Sequence, residues 1–374
     1  MTPNFFFNKE EMKPVRCTSV AKRYLDIVGC AAGPCVVIGE FRSDYFLSYF
    51  MGGSDYVRVD FPSKGRAMLA VLKPKNLPRI LRLVKHGLFV AAATSYLAEM
   101  VERKNVKVAF AFYSSKSICL SLLAIELTNL RLISVYPAQV RQKFTPFIPS
   151  PINFCCFGRE DKEQLLKMGQ PMGKVHITGS VYRNMYAISR ARPVEKTATI
   201  CVISSITERV GTSKQNSTLG NEIFIRDSVE RLLSSSQGKT VSIVVAGRPQ
   251  VNEAGRRAER DFYSGLLSHP QVRYEANKGK GFDSYILAES SEVVMAQRST
   301  LAFECLRLET RVLFVNIDDH RSPVSTDYPF LISDAFFGTF SKTLNRLRGL
   351  SQDEYESAIS QFRDYSIGSL QRCS

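Results

Sequence analysis

The 374-residue chain has no tryptophan and only four histidines. It has no unbroken apolar run of about eighteen residues, the length that a membrane-spanning helix needs. The opening MTPNFFFNKEEMK lacks an apolar core of signal-peptide length, so synthesis and residence in the cytoplasm are expected. Metal-binding patterns are also missing. Cys155-Cys156 is an adjacent pair without His or Cys partners at metal spacing, which argues against a zinc site. There is no D-x-D triplet, so the sequence does not require a chelated divalent cation, and no cofactor is expected. The nine cysteines are odd in number and several lie inside apolar runs (Cys35, Cys119, Cys201, Cys305), the pattern of reduced core thiols. No internal repeat or low-complexity tract stands out.

What is present fits a globular protein: 44% hydrophobic and 23% charged residues, in a chain long enough for two ordinary domains. The net charge of +15 is unevenly spread. Residues 1–190 carry 27 Lys and Arg against 13 Asp and Glu, whereas the remainder is nearly balanced at 23 against 22. The first half is therefore expected to face something anionic: a membrane surface, an acidic glycan or a nucleic acid. The basic residues are not interleaved with aromatics in an RNA-binding motif, so no nucleic-acid partner is expected and a non-catalytic nucleic-acid-binding protein is a minor alternative.

Hydrophobic patterning alternates between strand and helix in both halves. In the first, CVVIGE (35–40), VRVD (57–60), KVAFAFY (107–113), LISVYPAQ (132–139), INFCCFG (152–158) and KVHITGS (174–180) read as strands. Residues 88–104, 116–127 and 160–169 read as helices. The polar segment 185–198 contains Pro193 and is the expected linker. The alternation then restarts with strands at 199–205, 241–247, 272–277, 292–297 and 311–317, and helices at 222–236, 253–268, 282–290 and 299–308. The spacing predicts two doubly wound, Rossmann-like parallel-sheet domains: 1–184, then 199–350 after the linker, with a helical tail over 351–374.

In such sheets ligands sit beyond the carboxyl ends of the strands. The relevant loops of the second half hold Ser204-Ser205, Gly247-Arg248-Pro249, Lys278 and Arg298-Ser299-Thr300, residues suited to phosphate. In AQRSTLAFECLRLETRVLFVN, Thr300 and Glu304 lie four apart on one helix face, where Thr300 suits phosphate and Glu304 suits ribose hydroxyls. The competing reading makes Ser299 a helix cap and no more. In the first half, KPKNLPRILRLVKHGLF (73–89) mixes Lys and Arg with Leu, Ile and Phe. It reads either as a segment lying on an anionic bilayer or as an ordinary amphipathic helix with a charged outer face. Arg141 and Lys143 are alternative contacts for an acidic acceptor.

STLAFEC followed by RVLFVN resembles the nucleotide-sugar-binding domain of GT-B glycosyltransferases. INFCCFGREDKEQLLKMGQPMGKVHITGS resembles the last segment of that family's N-terminal domain. The flavour is that of bacterial surface and capsular polysaccharide transferases, including those using CMP-activated acidic sugars. Gly247-Arg248-Pro249 stands where those CMP-sugar enzymes often have His-Pro, and Glu309-Thr310 stands where many relatives have Gly. The resemblance implies a metal-independent transfer from a nucleotide-sugar donor, bound by the second domain, to a glycan or lipid-linked glycan held by the first, at the inner face of a membrane. Donor contacts would come from Ser204, Ser205, Gly247, Arg248, Lys278, Arg298, Ser299, Thr300 and Glu304. An inverting reaction would take its general base from Glu40, Asp44 or Asp60. A nucleotide-sugar epimerase on the same fold is the alternative enzyme, although such sites usually need several carboxylates and histidines.

Overall fold

The computed structural model describes residues 20–30, 34–39, 44–52, 56–112, 117–135, 150–167, 173–190, 194–206, 216–235, 240–248, 253–277, 281–297, 299–317, 324 and 327–368, with the side chains of residues 44, 45, 117 and 216–218 left out. The chain divides into two compact units, residues 1–191 with 368–374, and residues 192–367.

The first unit runs α1 (Val20–Val28), β1 (Cys35–Ile38), α2 (Asp44–Met51), β2 (Tyr56–Val59), α3 (Lys64–Val71), α4 (Leu77–Leu83), α5 (Leu88–Lys104), β3 (Val108–Phe112), α6 (Ser117–Glu126), β4 (Arg131–Val135), β5 (Asn153–Cys156), α7 (Arg159–Lys167), β6 (Val175–Ile177) and α8 (Val181–Ser189). Its six strands are all parallel, in the order β2-β1-β3-β4-β5-β6, with Val36 paired to Val57 on one side and Ala109 on the other. The central strands read as unbroken apolar runs because both faces are covered; Cys35–Ile38 and Val108–Phe112 are buried at every position. On α5 the buried positions are mostly small, including Ala91, Ala92, Ala93 and Ala98, which lets α3 and α4 pack closely on it. The helix ends at Asn105, whose φ of 49° is the left-handed conformation that Asn tolerates. The last described residue, Gly368, belongs to this unit. Its N–H donates to Phe157 O at 2.7 Å, and a Cβ there would lie 2.2 Å from Ile177 Cγ2, so no larger residue fits.

The second unit runs β7 (Ala198–Ile203), α9 (Asn216–Ser234), β8 (Ile243–Ala246), α10 (Glu253–Phe262), α11 (Ser264–Leu267), β9 (Val272–Glu275), α12 (Asp283–Glu289), β10 (Ser291–Ala296), α13 (Thr300–Cys305), β11 (Arg311–Val315), β12 (Leu331–Ile332), α14 (Phe337–Gly349) and α15 (Gln352–Ser366). Its strands are also all parallel, in the order β12-β11-β10-β7-β8-β9. Five strands were expected here; the sixth, β12, pairs Leu331 with Phe314 and Ile332 with Val315. The expected linker 185–198 overlaps α8 and the first residue of β7. The expected tail holds α15, which lies in the second unit and starts with a reciprocal capping box between Ser351 and Glu354. At the amino ends of the strands, Lys196 Nζ donates to Glu289 O, Ser291 O, Glu309 O and Thr310 Oγ1 at 2.6–3.2 Å, tying β7, β10 and β11 together. Burial pushes that ammonium down to about 8. The seven described cysteines are free thiols and all buried, and burial pushes Cys156 and Cys201 up to about 12.

Candidate nucleotide-sugar site

In the second unit the chain leaves β7 towards β8 and β9, then returns to the other side of β7 with β10 and β11. The winding reverses between β7 and β10, and a doubly wound sheet opens its crevice at that point. The two loops there are Ser204–Ile206 after β7 and Gln297–Thr300 after β10. The topology thus brings Ser204-Ser205 and Ser299-Thr300, 95 residues apart in sequence, to adjacent strand ends.

Ser299 occupies the cap position of α13 with φ −73° and ψ 136°, yet its side chain makes no capping hydrogen bond. Both Ser299 and Thr300 are half-buried. The helix they open is six residues long, shorter than the expected 299–308. With fewer than two turns its dipole is weak, so its contribution is the hydrogen-bond donors of its first turn. Glu304 lies one turn in, 2% exposed, and accepts the Tyr285 hydroxyl at 2.6 Å on Oε2.

Two further glutamates lie beneath the neighbouring loops. Glu222 on α9 is fully buried. Its Oε1 accepts the Ser205 N–H at 3.1 Å and its Oε2 accepts the Tyr263 hydroxyl at 2.6 Å. Burial pushes its carboxyl up to about 7, although Tyr263 and Ser205 hold it back by binding the charged form. Glu259 on α10 is also fully buried and accepts the Arg248 N–H at 2.9 Å and the Tyr274 hydroxyl at 2.7 Å. Asn221, next to Glu222, accepts the Ile317 N–H after β11 at 2.7 Å. Two Glu–Tyr pairs and one Asn therefore set the shape of the strand-end loops from below. Gly247 suits this scaffold, because a Cβ there would lie 2.7 Å from the Tyr274 hydroxyl and 3.1 Å from Glu259 Oε2, and these side chains would have to shift. None of Asn221, Glu222 and Glu259 was expected as a site residue. The signal was a polar residue on an apolar helix stripe, as in Glu222, Ile225, Val229 and Leu232.

Arg248 fits its expected place after β8. Its side chain is exposed and, among the described residues, its guanidinium has no carboxylate partner. Ser204 is 4% exposed, and its Oγ accepts the Ile206 N–H at 3.2 Å, so it braces the turn. Lys278 and Arg298 lie outside the described residues, as do Arg141 and Lys143. In the first unit the winding reverses between β1 and β3. Glu40, in the loop after β1, lies outside the described residues. Asp44 opens α2 after the same loop, and its side chain is likewise outside them. Asp60 follows the edge strand β2, exposed and paired with Arg58 at 2.8 Å, on the rim rather than at that reversal.

By sequence the chain matches no protein-family model and no curated protein. Solved structures do match. UDP-GlcNAc 2-epimerase from Methanocaldococcus jannaschii aligns over 88% of this chain and 99% of its own, with a TM-score of 0.55 at 10% identity. The Staphylococcus aureus MnaA–UDP structure aligns over 90% and 92%, with a TM-score of 0.51 at 12% identity. A glycosyltransferase from Rickettsia africae aligns over 94% and 89%, with a TM-score of 0.51 at 12% identity. The chain has the GT-B fold. At these identities the likeness fixes the fold alone; the neighbours themselves include epimerases and a transferase.

Proposed function

We propose that the chain is a glycosyltransferase that takes a sugar from a nucleotide-sugar donor and passes it to a glycan or lipid-linked glycan of a cell-surface polysaccharide, acting at the cytoplasmic face. The observation that carries the donor site is the meeting of Ser204-Ser205 and Ser299-Thr300 at the β7–β10 reversal, with Glu304 one turn in. Ser299, Thr300 and the first N–H groups of α13 bind the phosphates, Glu304 receives the ribose hydroxyls, and the Arg248 guanidinium neutralises charge that grows on the leaving nucleotide. Lys278 and Arg298, in the adjoining loops, are assigned the same electrostatic task, and no metal step is invoked. Glu40 and Asp44, beside the reversal of the first sheet, are the bases proposed for the acceptor hydroxyl, ahead of Asp60 with its Arg58 partner. The basic composition of the first half favours an acidic acceptor.

The likeness to UDP-GlcNAc 2-epimerases over nearly their whole length supports a second reading, in which the same donor site serves epimerisation. Two experiments divide these readings. Thermal shift with UDP, CMP, GDP and their sugars, on wild type and Glu304→Ala, tests the site itself; absence of a shift with every nucleotide refutes both. UDP-GlcNAc is then incubated in deuterium oxide without acceptor. Deuterium at C2 of the sugar identifies an epimerase, whereas nucleotide release only on addition of a glycan acceptor identifies a transferase.

A further inference from the structure

Among the described residues, thirteen large hydrophobic side chains are exposed, and eight of them fall between Met68 and Phe89. The other five are scattered, as single exposed apolar residues normally are. Leu72 is 76% exposed, Leu81 64% and Leu69 59%. Six of the eight lie on α3 and α4 or at their C-caps, Leu72 and Val84, and both helices pack on α5. Their inward faces are Ala67 and Ala70 on α3, and Ile80 and Leu83 on α4. Leu77, Leu81 and Val84 repeat at helical spacing along α4 and its C-cap, about a quarter-turn from Ile80 and Leu83, and Met68, Leu69 and Leu72 lie on α3 and its C-cap, on the side away from Ala67 and Ala70. Both apolar stripes are therefore open to solvent.

The charge within this segment has one sign. Between Asp60 and Glu99 the chain has no acidic residue and seven Lys or Arg. Lys73, Lys75, Arg79 and Arg82 are tied at their heads to Glu99, Glu102 and Glu126 on the supporting helices α5 and α6. Glu99 also accepts Arg103, so these three carboxylates serve five cations. Lys64, Arg66 and Lys85 are exposed and have no carboxylate partner among the described residues.

We propose that the outer face of α3 and α4 docks onto an anionic lipid surface. The leucines enter the interface of the bilayer while the surrounding cations meet its phosphates, the division of labour of an interfacial helix. Among the described residues no helix is long and apolar enough to cross a membrane, so contact is with one surface only. A second copy of the chain is a poor occupant, because a two-fold contact would set this unmatched positive charge against itself. A nucleic acid is also a poor occupant, since the centre of the face is leucine. The inference is independent of what the donor site does.

The test is co-sedimentation of the full chain with vesicles of phosphatidylcholine alone or mixed with phosphatidylglycerol, at low and high salt. Expected is binding to the anionic vesicles only, weakened by salt. The triple variant Leu72→Ser, Leu77→Ser, Leu81→Ser is expected to bind at least about tenfold more weakly with an unchanged melting temperature, because all three side chains are exposed. Leu166→Ser, at an exposed leucine elsewhere in the same unit, is expected to bind like wild type. Failure of the wild type to sediment with either vesicle overturns the proposal. So does equal binding by the triple variant, or a dimer in gel filtration that the triple variant dissociates.

Discussion

Glu222 is the carboxyl through which pH should act on the second unit between mildly acidic and neutral conditions. It is fully buried and its carboxyl is raised from 4.5 to about 7, chiefly by burial. Between those two values the native state holds a proton that the unfolded chain has released. Stability from this group is therefore complete below about pH 4.5 and is lost as pH rises through about 7. A difference of that size corresponds to about 3 kcal/mol at full ionisation, at ~1.4 kcal/mol per pH unit. Glu222→Gln keeps an acceptor for the Ser205 N–H and a partner for the Tyr263 hydroxyl but cannot ionise. Near pH 4.5 the variant should match wild type, and at pH 8 it should exceed it by up to about 3 kcal/mol, or roughly 6–12 °C in the melting temperature of a unit this size. Differential scanning calorimetry of both proteins across this range measures the gap, and the comparison cancels the titrating groups that do not interact with Glu222. A gap that stays constant with pH, or a variant less stable at pH 8, would refute the argument. It would mean that Tyr263 and Ser205 outweigh burial and hold Glu222 ionised.

Other substitutions read separate parts of the scaffold. Ser299→Ala should weaken nucleotide binding by roughly 3–10-fold, one hydrogen bond, in calorimetric titration. Because Ser299 makes no capping bond, the melting temperature should barely change; a loss of about 1 kcal/mol would mark it as a cap instead. Gly247→Ala should destabilise by about 1–3 kcal/mol through its clash with the Tyr274 hydroxyl, and Tyr274→Phe should recover part of that loss in a double-mutant cycle of denaturant melts. Lys196→Met removes the donor shared by three carbonyls and Thr310, and should cost about 1–3 kcal/mol in the same melts. An unchanged melt would show that water replaces the ammonium without loss.

The sheets were legible because parallel strands covered on both faces leave contiguous apolar runs such as CVVI and IVVA. Leu331–Ile332 is too short to leave such a trace, hence the missing sixth strand. Helix α9 begins at Asn216 inside a polar stretch, NSTLG, that reads as loop, and its apolar stripe starts only after Asn221 and Glu222. Helix α8, which runs into the expected linker, was missed because its buried face mixes Val181, Met185 and Tyr186 with Asn184 and Ser189. At the candidate site, Ser204-Ser205 and Ser299-Thr300 were legible from strand order. Glu222 and Glu259 were not, since a glutamate on a helix reads as solvated until its tyrosine partner, 41 residues away for Glu222 and 15 for Glu259, is placed beside it.

The acceptors beneath the loops bind main-chain groups: Ser205 N–H on Glu222, Arg248 N–H on Glu259, Ile317 N–H on Asn221. Loop shape is thus encoded in helices, while the side chains at 248 and 317 stay outside these main-chain contacts. In related chains, the side chains at 248 and 317 can vary without loss of these contacts, as long as an acceptor stands at 221 and 259. Diversification of specificity on this scaffold is, in that sense, structurally cheap.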